Sequence, residues 1–422
     1  MKVEKIIADR ISNPIYNKGN ISKPIVKIGI IGIATGMAVM LITVSVVLGF
    51  KNEIINRITG LTTHISIGNI SIDPSNEPLP IVISNDSIAI LKKLSFVQHI
   101  QPVAYKNGLL KTKYENEGVL LKGVDSTFDF TFIEKHLEKG KLPNLDSSSA
   151  SKEMLISKTL SSKLNLKLGD KVVIHFISQH PVYDSTLKVD IIKSEHFSRK
   201  LSICGIFKTN FSDFDDKLSI IDLRQIQRVN MWQSNMVGNY EIKIKQSKEL
   251  EKNTDELKDI FGYTYSINHV KDIYYNIFVW LDKLDVNGII IVVLMIIVAT
   301  INMITALLIL ILERTTMVGL LKALGMNNFN VRKIFIRISI KLIGKGLLWG
   351  NIIGVALCLL QQKFKMVGLD SETYYVDFVA IEINWLFFAY LNIGTFCICI
   401  LMLILPTLII TKLTPVKTIK FD

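Results

Sequence analysis

Seven histidines, His64, His99, His136, His175, His180, His196 and His269, are the residues of this chain best suited to metal or proton chemistry. Zinc ligands recur at short fixed spacings with thiolate or carboxylate help, whereas only His175, His180 and His196 fall loosely together. They read as surface or strand histidines. The adjacent acids Asp215 and Asp216 would point to opposite faces of a strand, so they do not form a general acid and base acting on one substrate. No GxxxxGK[ST] phosphate cradle, HExxH metal motif or GxSxG nucleophile turn occurs, and the GKG at Gly344 stands at the start of an apolar run. The expectation is a non-catalytic chain with no bound metal or cofactor.

A segment between the second and third apolar runs stands out instead. Residues 313–335, ERTTMVGLLKALGMNNFNVRKIF, put Val318, Leu321 and Leu324 at helical spacing, break at Gly325 and resume as a second amphipathic stretch. Such a helix either rests on a lipid surface or docks into a soluble partner.

The elements that must position it are apolar. Hydrophobic residues make up 49% of the 422 residues, with mean hydropathy +0.36 and a net charge of +12. No charge occurs in residues 28–50, 286–312, 346–362 or 383–411. At about 1.5 Å per helical residue the first, second and fourth runs cross a hydrocarbon core of about 30 Å, and the third is marginal. The first run lacks a small-x-small cleavage site, which points to a retained anchor and not a signal peptide.

Loop charges orient these spans. The balance is +4 before the first, +6 between the second and third, and +2 after the fourth, against −2 in the loop between the third and fourth. Short loops rich in Lys and Arg stay in the cytoplasm, so both termini and the 313–341 loop are expected inside. The same asymmetry accounts for the basic pI of about 9.3 and removes the case for nucleic acid. The expected organisation is an amphipathic cytoplasmic helix over 1–24, spans over 25–50, 286–312, 342–362 and 385–411, an extracytoplasmic domain over 51–285, a short outer loop over 363–384 and a cytoplasmic tail over 412–422.

Within the spans, Gly32 and Gly36 form one small-residue pair, and Gly346, Gly350 and Gly354 a longer stripe, spacings that let helix backbones approach in lipid. Asn302 lies mid-membrane, where an amide needs a partner, so it is expected to face another helix. The exported segment mixes strand-like runs (HISIGNISI, VLLKGV, KVVIHFI, TLKVDII, KLSICGIF, KLSIIDL, NYEIKIK) with helical ones (DSIAILKKL, SKTLSSKLNL, LRQIQRV, KELEKNTDELKDIFG). It holds one thiol, Cys204, so no disulfide can form within it. The fold expected is four transmembrane helices with a large α+β domain between helices 1 and 2, that domain built in at least two lobes parted at the Ser-rich loop 146–151.

The 313–325 segment closely resembles the coupling loop of the FtsX- and MacB-like permeases, which include the lipoprotein-releasing LolC and LolE type. Their pattern E-[RK]-x-x-x-[IV]-[AG]-[LI]-L-[RK]-[AT]-[LM]-G is met by Glu313, Arg314, Val318, Gly319, Leu320, Leu321, Lys322, Ala323, Leu324 and Gly325. The exit GFKNEIINRITGLTTHISI, the runs SKTLSSKLNLKLGDKVVI and CGIFKTNFSDFDDKLSIIDL, and the tail LPTLIITKLTPVKTIKFD are similar to that branch as well. The resemblance implies a permease in the bacterial inner membrane that extracts lipoproteins. It further implies a LolD-type ATPase subunit carrying ATP and Mg, a second permease subunit, same or different, and a periplasmic carrier for the acylated protein. MacB carries an ATPase on its own chain and FtsX a smaller exported domain, which leaves an exporter of peptides or antibiotics, or a regulator of a cell-wall hydrolase, as alternatives. Between the GD strand and CGIF, the stretch with Gln179, His180, Pro181, Val182 and Tyr183 occupies the place of a carrier-capturing hairpin, though its residues do not match closely.

Overall fold

The computed structural model describes residues 22–70, 77, 79–112, 115–184, 189–246 and 249–407. The helix expected over 1–24 and the tail over 412–422 lie outside them, apart from residues 22–24, where the first described helix begins. The chain divides into two compact units: Met1–Asn52, Trp280–Gly368 and Phe378–Asp422, and Glu53–Val279 with Leu369–Asp377.

Among the described residues, four helices are long and apolar enough to cross a membrane: α1 (Ser22–Thr62), α2 (Tyr275–Glu313), α4 (Asn328–Phe364) and α5 (Trp385–Met402), with the short α3 (Thr315–Ala323) between α2 and α4. The helices overrun the uncharged blocks because nothing stops them. Pro24 falls in the first turn of α1, where a missing N–H is harmless. Between Phe50 and Thr62 there is no proline, and Arg57 Nε donates to Glu53 Oε1 one turn back at 2.9 Å. Residues 328–341, expected as loop, are the amphipathic start of α4, with Val331, Ile334, Phe335 and Ile338 buried between Arg332, Lys333 and Arg337. These side chains join Ile33, Met37 and Leu41 of α1 and Met303 and Leu307 of α2 in one apolar core.

In the second unit ten strands make one mixed sheet: β1 (Ile65–Gly68), β2 (Val97–Lys111), β3 (Asn116–Val124), β4 (Leu137–Gly140), β5 (Glu153–Ser157), β6 (Lys171–Asp184), β7 (Val189–Phe207), β8 (Leu218–Asp222), β9 (Asn239–Ile244) and β10 (Ser266–His269). The order is β10-β1-β9-β2-β3-β8-β5-β7-β4, and β6 pairs with both β2 and β7, so β2, β3, β8, β5, β7 and β6 close on themselves. β3 with β8 and β5 with β7 are parallel; the remaining pairs are antiparallel. All five residues of β8, LSIID, are buried, as suits a strand covered on both faces. The division into two lobes at residues 146–151 is therefore not seen. Strands on either side of that loop interleave in one hydrogen-bonded path, because β8 carries the chain back between β3 and β5.

Candidate functional site

The turn from α2 through α3 into α4 is built by its own residues. Thr315 Oγ1 donates to the Leu312 carbonyl at 3.0 Å as α2 ends. α3 stops in a paired cap: Gly325 N donates to Lys322 O and Met326 N to Leu321 O, each at 3.0 Å, with Gly325 at φ +88°. That left-handed conformation is open to glycine at little cost. Asn327 then starts α4, its side chain accepting from Asn330 N at 2.9 Å.

This geometry sorts the residues of the 313–325 segment. Val318 and Gly319 are buried, and Leu321 packs against the apolar core. Lys322 and Arg314 are half-buried and Glu313 exposed. Leu320 is 56% and Leu324 77% exposed, and Phe329, at the start of α4, 69%. The stripe Val318, Leu321, Leu324 is thus divided: its first two members hold α3 to its own chain, and the outward apolar surface is Leu320, Leu324 and Phe329. Phe329 escapes a helical-stripe reading because the break at Gly325 changes the face presented.

The small residues pack within the chain. A Cβ on Gly32 would stand 2.7 Å from Asn302 Nδ2, and one on Gly36 3.5 Å from Ala299 Cβ, which sets this face of α1 on α2. Asn302 does face another helix. On another face of α1, a Cβ at Gly346 would meet Ile33 Cβ at 2.7 Å, at Gly350 Met37 Cβ at 2.6 Å, and at Gly354 Leu41 Cδ1 at 3.1 Å. α4 therefore rests directly on α1. A reciprocal amide pair missed in the sequence joins α4 to α5: Asn351 Nδ2 donates to Asn392 Oδ1 at 2.6 Å, and Asn392 Nδ2 to Asn351 Oδ1 at 2.9 Å. Two asparagines in separate uncharged runs were the available signal.

In the second unit β6 and β7 are in register from Lys171 opposite Ser202 to Asp184 opposite Val189. β2 reaches β6 only at Val173, Ile174 and His175, so from Phe176 outward the two strands pair with each other alone among the described residues. Gln179, His180, Pro181, Val182 and Tyr183 lie opposite Ser194, Lys193, Ile192, Ile191 and Asp190. Pro181 consequently sits within the ladder and not at the tip.

The same unit buries charge. Lys122, fully buried, donates to both Glu241 oxygens at 2.8 Å and to the Leu61 carbonyl near the end of α1. Tyr105 Oη donates to Glu241 at 2.7 Å and Gln101 Nε2 at 2.9 Å. Burial lowers the Lys122 pKa, against the pull of Glu241. Arg57 Nη1 donates to the carbonyls of Thr209 at 3.0 Å and Asn210 at 2.9 Å. Asp215 belongs to a helix, Ser212–Asp215, and not to a strand; it accepts from Thr209 N at 3.0 Å and Asn210 N at 2.8 Å, while burial raises its pKa. Such donors tie a loop and leave no free base. Among the described residues no three His, Cys, Asp or Glu side chains are grouped to hold a metal.

A membrane-helix set and a mixed-sheet domain in one chain have counterparts. Residues 28–260 match the MacB-like periplasmic core domain and residues 289–415 the FtsX-like permease C-terminal domain. The chain belongs to the MacB- and FtsX-like permease family. Over 96% of its length it is 21% identical to the lipoprotein-releasing system transmembrane protein LolE of Haemophilus influenzae, covering 97% of that protein. It is 23% identical to LolC of the same system in Buchnera aphidicola, covering 94% of this chain and 93% of the relative. The solved periplasmic region of MacB from Actinobacillus actinomycetemcomitans is 17% identical and is covered to 92%, with a TM-score of 0.34. This permease thus combines four apolar helices with a MacB-like domain.

Proposed function

We propose that this permease is the transmembrane subunit of an ATP-driven transporter that extracts lipoproteins from the inner membrane and passes them to a periplasmic carrier. The observation that carries the reading is the α2–α3–α4 turn: a capped helix, seated on its own core by Val318 and Leu321, turning Leu320, Leu324 and Phe329 outward on a chain without a nucleotide motif. The LolE and LolC likeness over nearly the whole chain supports the cargo. Each buried acyl CH2 contributes about 0.8 kcal/mol, so a triacylated protein is held by tens of kcal/mol and its release needs an external energy source. ATP and Mg are assigned to a separate ATPase that seats α3, a second permease subunit completes the membrane part, and both termini lie in the cytoplasm.

The two-stranded arm of β6 and β7 is the carrier-capturing element in this reading. Excising 179–183 alone would remove an odd number of residues from one strand and turn its faces over. Joining Ser178 to its partner Glu195 through Asn-Gly keeps the register. Purification with its ATPase from native membranes should recover bound acylated proteins, and the shortened arm should retain them while losing transfer to the carrier. Recovery of an outer-membrane channel without acylated protein would overturn the cargo; undiminished transfer would overturn the role of the arm.

A further inference from the structure

Where α4 ends, one side chain holds the turn that follows. Gln361 Nε2 donates to the carbonyls of Val367 at 3.2 Å and Val379 at 3.1 Å, and its Oε1 accepts from Val367 N at 3.0 Å. Val379 N donates to Val367 O at 3.1 Å, and Gly368 pairs with Phe378 in an isolated bridge. Lys365 makes the turn at φ +48°, a left-handed conformation that residues other than glycine seldom adopt. The turn so held displays Phe364, Met366 and Val367, which are 60%, 73% and 55% exposed. All of these residues belong to the unit of the membrane helices.

Packing on α1 fixes the level of this turn. α4 meets α1 at Gly350 with Met37 and at Gly354 with Leu41, the two helices running the same way. That register carried to the helix end puts Phe364 level with Lys51, the first charge after the uncharged run of α1. The turn therefore stands where hydrocarbon gives way to headgroups. Large apolar side chains on a turn already ordered can leave water for lipid at no further ordering cost. The charges beside them are also open. Lys51 is paired with Asp282 at 3.2 Å and Asp285 at 2.5 Å. Lys363 and Lys365 are exposed and meet no carboxylate among the described residues; their ammonium groups lie 5.7 Å from the ring centre of Phe364 and 4.0 Å from that of Phe378. Cations without a counter-charge, set beside an apolar triad at the membrane boundary, match a ligand with acyl chains and an anionic headgroup. We propose that the 363–367 turn binds an anionic phospholipid, with Phe364, Met366 and Val367 among its acyl chains and Lys363 and Lys365 on its phosphate. The site rests on α4 crossing the membrane and is independent of cargo and energy source.

The test uses the full chain, its native cysteines replaced, in nanodiscs of phosphatidylcholine and phosphatidylglycerol, with bimane on Met366→Cys. A lipid carrying a nitroxide near the top of its acyl chain should quench this probe, and aqueous iodide should not; bimane on Asn144→Cys should behave in the opposite way. The nitroxide on phosphatidylglycerol should quench about threefold more than on phosphatidylcholine. Lys363→Gln with Lys365→Gln should bring that ratio near one, and Lys363→Gln alone, which leaves Lys365 over Phe378, should already lower it. Iodide quenching as strong as at Asn144 would overturn the proposal, as would protection from both quenchers, the mark of a protein partner on the turn. Equal quenching by the two lipids, or a ratio unchanged in both variants, would overturn the phosphate contact and the proposal with it.

Discussion

Single residues set how near two backbones come. Gly350 is the sharpest case, since a side chain there meets Met37 Cβ at 2.6 Å and the Ala34 carbonyl at 2.7 Å, and the second is backbone that cannot rotate away. Gly350→Leu should force α4 off α1 at a cost of about 1–3 kcal/mol or more. The contact is within one chain, so the expected loss is of folded, monodisperse protein in detergent and not of subunit association. A melting profile and elution volume like those of wild type would show the helices to be farther apart than described. His64 is the second case. It follows the end of α1, is 8% exposed, and burial, then the charge of Lys243, lowers its pKa from 6.5 to about 4. The folded chain keeps it neutral while the unfolded chain takes up a proton near pH 6.5. Its contribution is therefore complete above about pH 6.5 and is lost as pH falls toward 4, by about 3 kcal/mol in all. Thermal midpoints of full-length protein should drop across that window, and His64→Gln should flatten the drop. An equally steep fall in the variant would place the acid sensitivity elsewhere.

At the scale of elements, α3 is held on one side and open on the other. Val318 is buried and Leu321 half-buried, so charge at either would disrupt the helix itself and confuse loss of docking with loss of structure. The informative variant is Leu320→Asp with Leu324→Asp, at positions 56% and 77% exposed. It should leave the melting temperature within a few degrees of wild type, as surface substitutions do, and reduce co-purification of the ATPase about tenfold or more. Undiminished co-purification would move the docking surface off α3. The same segment illustrates what the sequence carried. Gly325 as a stop was legible because capping chemistry is local. Which face of α3 looked outward was not, because that depends on α1 and α2 filling the other side. β2 was missed for a related reason. Its run VQHIQPVAYKNGLLK holds a proline, two lysines and a glycine and alternates weakly, yet it pairs with β3, β6 and β9, contacts that lie far apart in sequence. β8 and β9, with dense branched side chains, were legible from their own residues. The Lys122–Glu241 pair lies 119 residues apart in the chain and left no local trace, since each residue alone looks like an ordinary polar position on a strand.

For the whole molecule, the orientation proposed rests on a charge asymmetry that no single residue carries. The 313–345 stretch bears +6 and the loop between the last two spans −2. Translocating the first would carry a dense set of Lys and Arg across the membrane, each costing about 2.5–3.5 kcal/mol at mid-span. The structure adds reporter sites suited to testing this. Ala323, at the end of α3, and Asn144, between β4 and β5, are both exposed, and neither side chain belongs to an apolar core. With Cys204, Cys358, Cys397 and Cys399 replaced, Asn144→Cys should react with a membrane-impermeant maleimide in cells whose outer membrane alone is opened. Ala323→Cys should react only after the inner membrane is broken. Because α2 alone separates the sheet domain from α3 in the sequence, the two thiols must report opposite sides if α2 spans. Labelling of Ala323→Cys in intact inner membranes with Asn144→Cys protected would reverse the orientation. It would also remove α3 from reach of any cytoplasmic ATPase, so the coupling reading would fall with it. Labelling of both from one side would mean that α2 does not cross.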